Sequence, residues 1–210
     1  MGAYFQELLE ELFLKGKPVN GAKTFYTLGH FFGRIAPDYF TIAEVGIGYN
    51  PVHLDNLKNG FDHETNSEKE IRLIGIDPKY IPPSHIEYKK GKIQDLSLNL
   101  GEVNVLVYYD LLGYISSGSV TRAQILRKMD EQILEVSPDY VIFSDPDIYL
   151  KLQEMSGKRN DHEYIYSGLS SEYTEIGLQK YVGKTFKSYR WMFFVRNDIY
   201  NSIEADLVKI

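Results

Sequence analysis

The 210-residue sequence contains no cysteine, which excludes disulfide bonds, zinc–thiolate sites and cysteine nucleophiles. Nowhere does an apolar run approach the roughly 18 residues that a membrane-spanning helix needs, so no membrane partner is expected. Positive charge is scarce too. Lys and Arg total 23 against 29 Asp and Glu, a formal net charge of −6. A protein that grips nucleic acid neutralises phosphates with clustered cations, so this balance argues against nucleic acid and favours small molecules or peptides. The opening stretch from Met1 to Leu14 carries Glu7, Glu10 and Glu11 and no basic segment, unlike a secretory leader. With cysteine absent as well, a cytoplasmic location is the expectation.

What is present fits an ordinary globular domain, with 43% apolar and 25% charged residues. The 17 tyrosines read mainly as core and sheet residues. Ala3 to Lys15 sets Phe5, Leu8, Leu9, Leu12 and Phe13 at helical spacing. This amphipathic helix packs on the chain's own core or over a pocket, with a homodimer left open. A second helix is expected from Ala22 to Ile35, ended by Ala36-Pro37. Strands then follow at Phe40 to Val45, Ile71 to Ile76, Ile86 to Tyr88, Val103 to Tyr108, Tyr140 to Phe143 and Tyr189 to Arg196. Between them lie a short helix from Val52 to Lys58 ending near Asn59-Gly60, a polar surface excursion from Phe61 to Lys69, and a helix from Ser119 to Val136. Further helices are expected up to Met155 and from Ser171 to Tyr181. Strands alternating with helices, one of them almost wholly apolar, imply an α/β fold with a doubly wound, mostly parallel sheet. No repeat or linker breaks the chain, so one domain is expected.

Ligands on such sheets bind outside the carboxyl ends of the strands. After the first strand stands Glu44-Val45-Gly46-Ile47-Gly48-Tyr49-Asn50-Pro51. Gly46 and Gly48 allow a sharp turn and close approach of backbone to a ligand, because neither carries a Cβ. A dinucleotide fingerprint needs glycine where Pro51 stands, and no Gly-Lys-Ser/Thr of a phosphate loop occurs. The loop resembles the E/D-x-G-x-G-x-G motif of class I S-adenosylmethionine (SAM) methyltransferases, with Asn50 at the last glycine. Asn tolerates left-handed backbone and caps helices well, here with Pro51 as the first helical residue. The resemblance implies SAM as cofactor and a Rossmann-like sheet of the class I type with N-terminal helices. Asp77 follows the second strand, 29 residues beyond Gly48 where about 20 is usual, and suits the two ribose hydroxyls of an adenosine. The excursion from Phe61 to Lys69 accounts for the surplus. After the third strand, the resemblance places Gln94 and Asp95 on the adenine amino group and Ile93 on its ring. Each acid also has a plain reading: Asp77 starts a turn before Pro78, Asp95 caps a turn, and Asp145 and Asp147 flank a proline. Their joint placement after consecutive strands favours the ligand site.

A longer likeness runs from Tyr88-Lys89-Lys90-Gly91-Lys92-Ile93-Gln94-Asp95 through Val103 to Tyr108 and Tyr109-Asp110-Leu111-Leu112-Gly113-Tyr114. It is similar to the protein arginine methyltransferase core, where a K-G-K-V-E-E-like turn precedes an apolar strand and S-E-x-x-G-Y. Asp110 matches the first of that family's paired glutamates. Ser119 stands where the second would fall, and one carboxylate cannot clamp a planar, five-donor guanidinium from two sides. At 210 residues the sequence is expected to be too short for that family's C-terminal barrel, and no T-H-W-like segment appears in it. The implied organisation is an N-terminal helical extension (1–37), a cofactor core (38–155) and acceptor-side elements with the end of the sheet (156–210).

These residues imply in-line methyl transfer to a small molecule or peptide, on oxygen or nitrogen, with Tyr109, Asp110 and Tyr114 lining the acceptor side. Asp110 is the candidate for orienting the acceptor and taking its proton. No N/D-P-P-Y/F follows the fourth strand, which removes the usual mark of base methylation. His30 either enters the site from its helix or packs among Phe31 and Phe32, the second being favoured. His53, His63, His85 and His162 show no metal-ligand spacing. Two alternatives stand beside methyl transfer: aminocarboxypropyl transfer from the same cofactor, as in nicotianamine synthase-like proteins, and a non-catalytic binding protein on a nucleotide fold.

Overall fold

The computed structural model describes residues 21–48, 51–92, 99–109, 122–145, 169, 171–180 and 190–207. Within them lie helices α1 (Gly21–Ile35), α2 (Val52–Thr65), α3 (Arg122–Val136) and α4 (Asn197–Leu207). The strands are β1 (Tyr39–Val45), β2 (Glu70–Asp77), β3 (Glu87–Lys90), β4 (Val105–Tyr109), β5 (Tyr140–Asp145), β6 (Tyr173–Lys180) and β7 (Arg190–Arg196). One sheet holds all seven in the order β3-β2-β1-β4-β5-β7-β6. β7 runs antiparallel to both its neighbours, and the other strands are parallel. This is the expected α/β, mostly parallel, doubly wound sheet. The predicted first helix, Ala3 to Lys15, and the helix ending near Met155 lie outside the described residues.

Alternation along the strands divides the core into two layers. Phe40, Ile42, Val105, Val107 and Ile142 face one side and meet Phe25, Phe32, Leu54, Leu57 and Phe61 of α1 and α2. Ala43, Val45, Leu106, Tyr108 and Val141 face the other and meet Met129 and Ile133 of α3. Strands covered on both faces have no room for polar alternation, which is why β4 is apolar throughout. At the starting ends of the central strands, Asn104 is the tie. Its Oδ1 accepts the Thr41 N–H at 2.9 Å, and its Nδ2 donates to Asp139 Oδ2 at 2.8 Å. Its own backbone N–H reaches Thr41 O at 2.9 Å, and its carbonyl takes the Tyr140 N–H at 2.9 Å.

α2 is longer than expected. Gly60 does not end it, and the helix continues through Phe61 to Thr65, where Asn66 (φ 51°) closes it in the left-handed conformation. The expected surface excursion after Phe61 is therefore largely helix. Gly60 is glycine for packing: a Cβ there would collide with the Tyr26 carbonyl of α1, and one at Gly29 would collide with the Leu57 carbonyl of α2. Backbone meets backbone at this crossing. Pro51 stands at the cap of α2, ahead of the first helical residue, and its carbonyl accepts the Asp55 N–H at 3.0 Å.

The segment expected as a helix from Ser171 to Tyr181 is strand β6. It pairs along β7 with an irregularity between Glu175 and Gly177, and Gly177 would have cost an interior helix about 1 kcal/mol relative to Ala. A strand buried on both sides needs both its neighbours, and β7 recruits this one through its open edge. α4 was not anticipated. Among the described residues no helix is long and apolar enough to cross a membrane.

Candidate functional site

Strand order reverses between β1 and β4, which opens a crevice at the carboxyl edge of the sheet. The ends of the strands are level there: Val45 pairs with both Ile76 and Tyr108. Immediately beyond, Gly46 (φ 79°) and Gly48 (φ 65°) turn the chain through conformations that side chains disfavour. The Gly46 N–H is held by Ile76 O at 2.7 Å. Ile47 drives its side chain back into the core against Gly75, where a Cβ would stand 2.5 Å from Ile47 Cδ1. The loop is thus pinned by one buried side chain and by the bonds of its N–H groups to Ile76 O.

Asp77 organises the neighbouring lip. Its Oδ2 accepts the Gly48 N–H at 3.1 Å, while Oδ1 accepts the N–H groups of Lys79 and Tyr80, each at 2.8 Å. Its carbonyl receives Tyr88 Oη at 3.0 Å and the Gly91 N–H at 3.2 Å. A buried carboxyl that accepts three backbone N–H groups is fixed in place. Tyr80 and Ile81 follow it, with Ile81 77% exposed, so an apolar side chain sits unburied on the rim of the crevice.

Glu44 lies deeper, 1% exposed in an otherwise apolar strand. Its Oε2 is buried with no hydrogen-bond partner among the described residues. Its Oε1 stands 3.5 Å from His53 Nδ1, an ion-pair distance without the alignment of a hydrogen bond, since His53 Nδ1 is itself unbonded. Burial pushes the Glu44 carboxyl above its usual range; His53 acts against that, and Asp55 adds to it. The His53 ring lies on Tyr109 at 3.7 Å between centroids and against Phe25 at 4.8 Å.

The structure brings Glu44, Gly46, Gly48 and Asp77 together at one edge, with Tyr109 beside them at the end of β4. Asn50, Ile93, Gln94, Asp95, Asp110 and Tyr114 lie outside the described residues, as does Ser119, so the likeness to the arginine enzymes rests on its sequence. His30 does not enter the crevice. It bonds Glu64 Oε2 at 2.9 Å, and Arg34 holds the other oxygen at 2.9 Å, at the far end of α2. The residue the sequence reasoning passed over is His53. One clue was available: a glutamate in an apolar strand calls for a partner, and His53 stands in the first turn after the loop.

The comparisons with solved structures agree with this architecture. N-methyltransferase NodS from Bradyrhizobium japonicum WM9 is 15% identical with a TM-score of 0.56, covering 84% of this chain and 96% of that one. Its complex with S-adenosyl-L-homocysteine superposes with a TM-score of 0.52 at 15% identity, over 92% and 98% of the two chains. The fold is that of the class I SAM-dependent methyltransferases. A Listeria monocytogenes protein assigned to that class has a TM-score of 0.57 at 11% identity, covering 91% of this chain and 65% of that one. No protein-family model matches the sequence, and no curated protein does. In the methyltransferase fold the crevice between β1 and β4 is the topological switch point, where Glu44, Gly48, Asp77 and Tyr109 converge.

Proposed function

We propose that the protein is a SAM-dependent methyltransferase acting on a small molecule or peptide, at oxygen or nitrogen. The observation that carries this reading is the Gly48 N–H bonded to a buried Asp77 carboxylate at the switch point of this fold. The residues fit the cofactor. Among the described residues, a Cβ at Gly48 would meet nothing nearer than Gly46 O at 3.9 Å. Asp77 suits the ribose hydroxyls, and the unsatisfied Glu44 Oε2 suits a cationic donor such as an amino-acid ammonium. From sequence, Ile93, Gln94 and Asp95 take the adenine, and Asn50 closes the loop.

SAM supplies a methyl group already activated on a sulfonium. The chain's task is then geometric: to hold an acceptor in line at about 3 to 3.5 Å and to exclude water. Tyr109 stands at the end of β4 on the acceptor side, and Asp110 and Tyr114 follow it in sequence. Asp110 is assigned the acceptor's proton. The same cofactor site would serve aminocarboxypropyl transfer, and the product separates the two, since methyl transfer leaves S-adenosylhomocysteine and the alternative leaves methylthioadenosine. A reading as a homodimer, or as a cytoplasmic protein, rests on sequence alone.

The deciding experiment is calorimetric titration with S-adenosylhomocysteine. Micromolar binding that is lost in Asp77→Ala supports the reading, and a folded protein that binds neither SAM nor its product rejects it.

A further inference from the structure

His53 has no role in the motifs that define this fold, yet it occupies the place where the two halves of the crevice meet. Its ring touches Glu44 on the cofactor side, with Nδ1 3.5 Å from Oε1. It also lies on Tyr109 on the acceptor side, 3.7 Å between centroids. Phe25 of α1 closes the stack from behind, 4.8 Å from His53 and 5.6 Å from Tyr109. Two buried polar atoms in this cluster, Glu44 Oε2 and His53 Nδ1, have no hydrogen-bond partner among the described residues. Buried groups left in that state are uncommon, and they mark places where a ligand or a proton completes the arrangement.

We propose that His53 is a positioning residue which sets the Glu44 carboxylate for a cationic ligand group and fixes the Tyr109 ring for the acceptor. The inference deepens the SAM reading and rests on it for the identity of the ligand. Glu44 sits in an apolar strand, so its charged form needs nearby positive charge. Of the charged groups acting on it, His53 favours ionisation and Asp55, on the same helix, opposes it. Asp55 is itself engaged by His85 Nε2 at 2.8 Å. From the other elements packed around the ring come Tyr109 of β4, a titratable phenol, and Phe25 of α1, which is apolar. One imidazole therefore serves both sides: its Nδ1 faces Glu44 and its ring face lies on Tyr109.

The two roles separate by substitution. His53→Phe keeps an aromatic face for Tyr109 and removes the ring nitrogen that faces Glu44; His53→Gln keeps a polar group and removes the face. Calorimetric titration with S-adenosylhomocysteine from pH 5 to 9, with thermal unfolding as the control for folding, reads the first role. Removing the histidine moves the Glu44 titration upward, and each unit of that movement weakens binding about tenfold on the acid limb. The expected result is a weakened His53→Phe protein at pH 6 to 7 that approaches wild-type affinity by pH 9. His53→Gln is expected to show the same limb. Folded variants that bind as wild type at every pH overturn the proposal. If wild type itself binds no S-adenosylhomocysteine, the SAM reading fails separately. In that event the carboxyl carbon resonance of Glu44 decides, in the free protein. A midpoint raised in His53→Phe supports the coupling, and an unchanged midpoint overturns it.

Discussion

Gly48 donates its backbone N–H to Asp77 Oδ2 at 3.1 Å, which joins the loop after β1 to the turn after β2 across 29 residues of chain. The same carboxylate holds Lys79 and Tyr80 through Oδ1, so Asp77 has a structural role beside the ligand contact proposed for it. Asp77→Ala leaves three backbone donors without this acceptor, at a cost of about 1–3 kcal/mol because part of the turn reaches water. For a chain of this size that corresponds to a melting temperature lower by about 2–12 °C. Asp77→Asn keeps an acceptor oxygen and is expected to lose less than half as much stability, while still losing the charge that the ribose contact needs. Thermal scans alongside calorimetry separate the two effects. An Asp77→Asn protein that binds S-adenosylhomocysteine like wild type would contradict the assignment.

A second expectation concerns the crossing of α1 and α2, where Gly29 and Gly60 bring the helix backbones into contact. On helix propensity alone, Gly60→Ala should stabilise the protein by about 1 kcal/mol. The added Cβ meets the Tyr26 carbonyl, a backbone atom that cannot swing aside. Overpacking of this kind costs typically 1–3 kcal/mol, and against an immobile carbonyl the upper part of that range applies. A net loss of about 1–2 kcal/mol in urea is expected. Asn59→Ala, on the exposed face of the same helix, provides the control and should be neutral or slightly stabilising.

These glycines also explain which parts of the fold could be read from sequence. β1 and β4 were legible because buried parallel strands are apolar runs, and Asp77 was legible because it follows such a run. Gly60 is a helix stop by every local rule, and only the Tyr26 carbonyl opposite it gives the true reason for the glycine. Tyr173 to Lys180 supports a helix or a strand on spacing alone; the open edge of β7 decides. His53 carries no spacing clue, since its importance comes from Glu44 and Tyr109 converging at the ends of two different strands. Local pattern therefore revealed the loop and its acids, while the residue joining the two sides of the crevice required the sheet order.

Asp130 on α3 yields a pH prediction. Among the described residues its Oδ1 is buried without a partner, and burial, aided by the charge of Glu131, pushes its carboxyl up to about 7 from an ordinary 3.8. The folded state therefore holds this proton more tightly than the unfolded chain does. Its contribution to stability is complete below pH 4 and is lost as pH rises from about 4 through 7. Because the side chain is only partly buried, about 1–2 kcal/mol of the nominal shift is expected to be realised. Asp130→Asn removes the titration. Urea midpoints should fall between pH 5 and 8 more for wild type than for the variant, and Asp130→Asn should be the more stable protein at pH 8. Parallel profiles for the two proteins would show that the carboxyl is solvated.

Asn104 gives the sharpest test of the sheet itself, since its side chain serves β1 on one side and Asp139 on the other. Asn104→Ala leaves the buried Thr41 N–H without its acceptor and Asp139 without its donor, a cost of about 2–3 kcal/mol for two lost partners. Asn104→Asp keeps an oxygen for Thr41 and replaces the amide donor with a second carboxyl facing Asp139, which Arg196 Nη1 already engages at 3.1 Å. Like charge and burial both favour the protonated form of the new carboxyl. Stability of Asn104→Asp should therefore fall as pH rises, and the variant should lie closest to wild type in acid. Asn104→Ala should be displaced from wild type by the same amount at every pH. Chemical denaturation of both variants at pH 5 and pH 8 distinguishes them. An Asn104→Asp protein as stable as wild type at both pH values would mean that the Asp139 contact contributes nothing and that the side-chain bond to Thr41 carries the whole effect of Asn104→Ala.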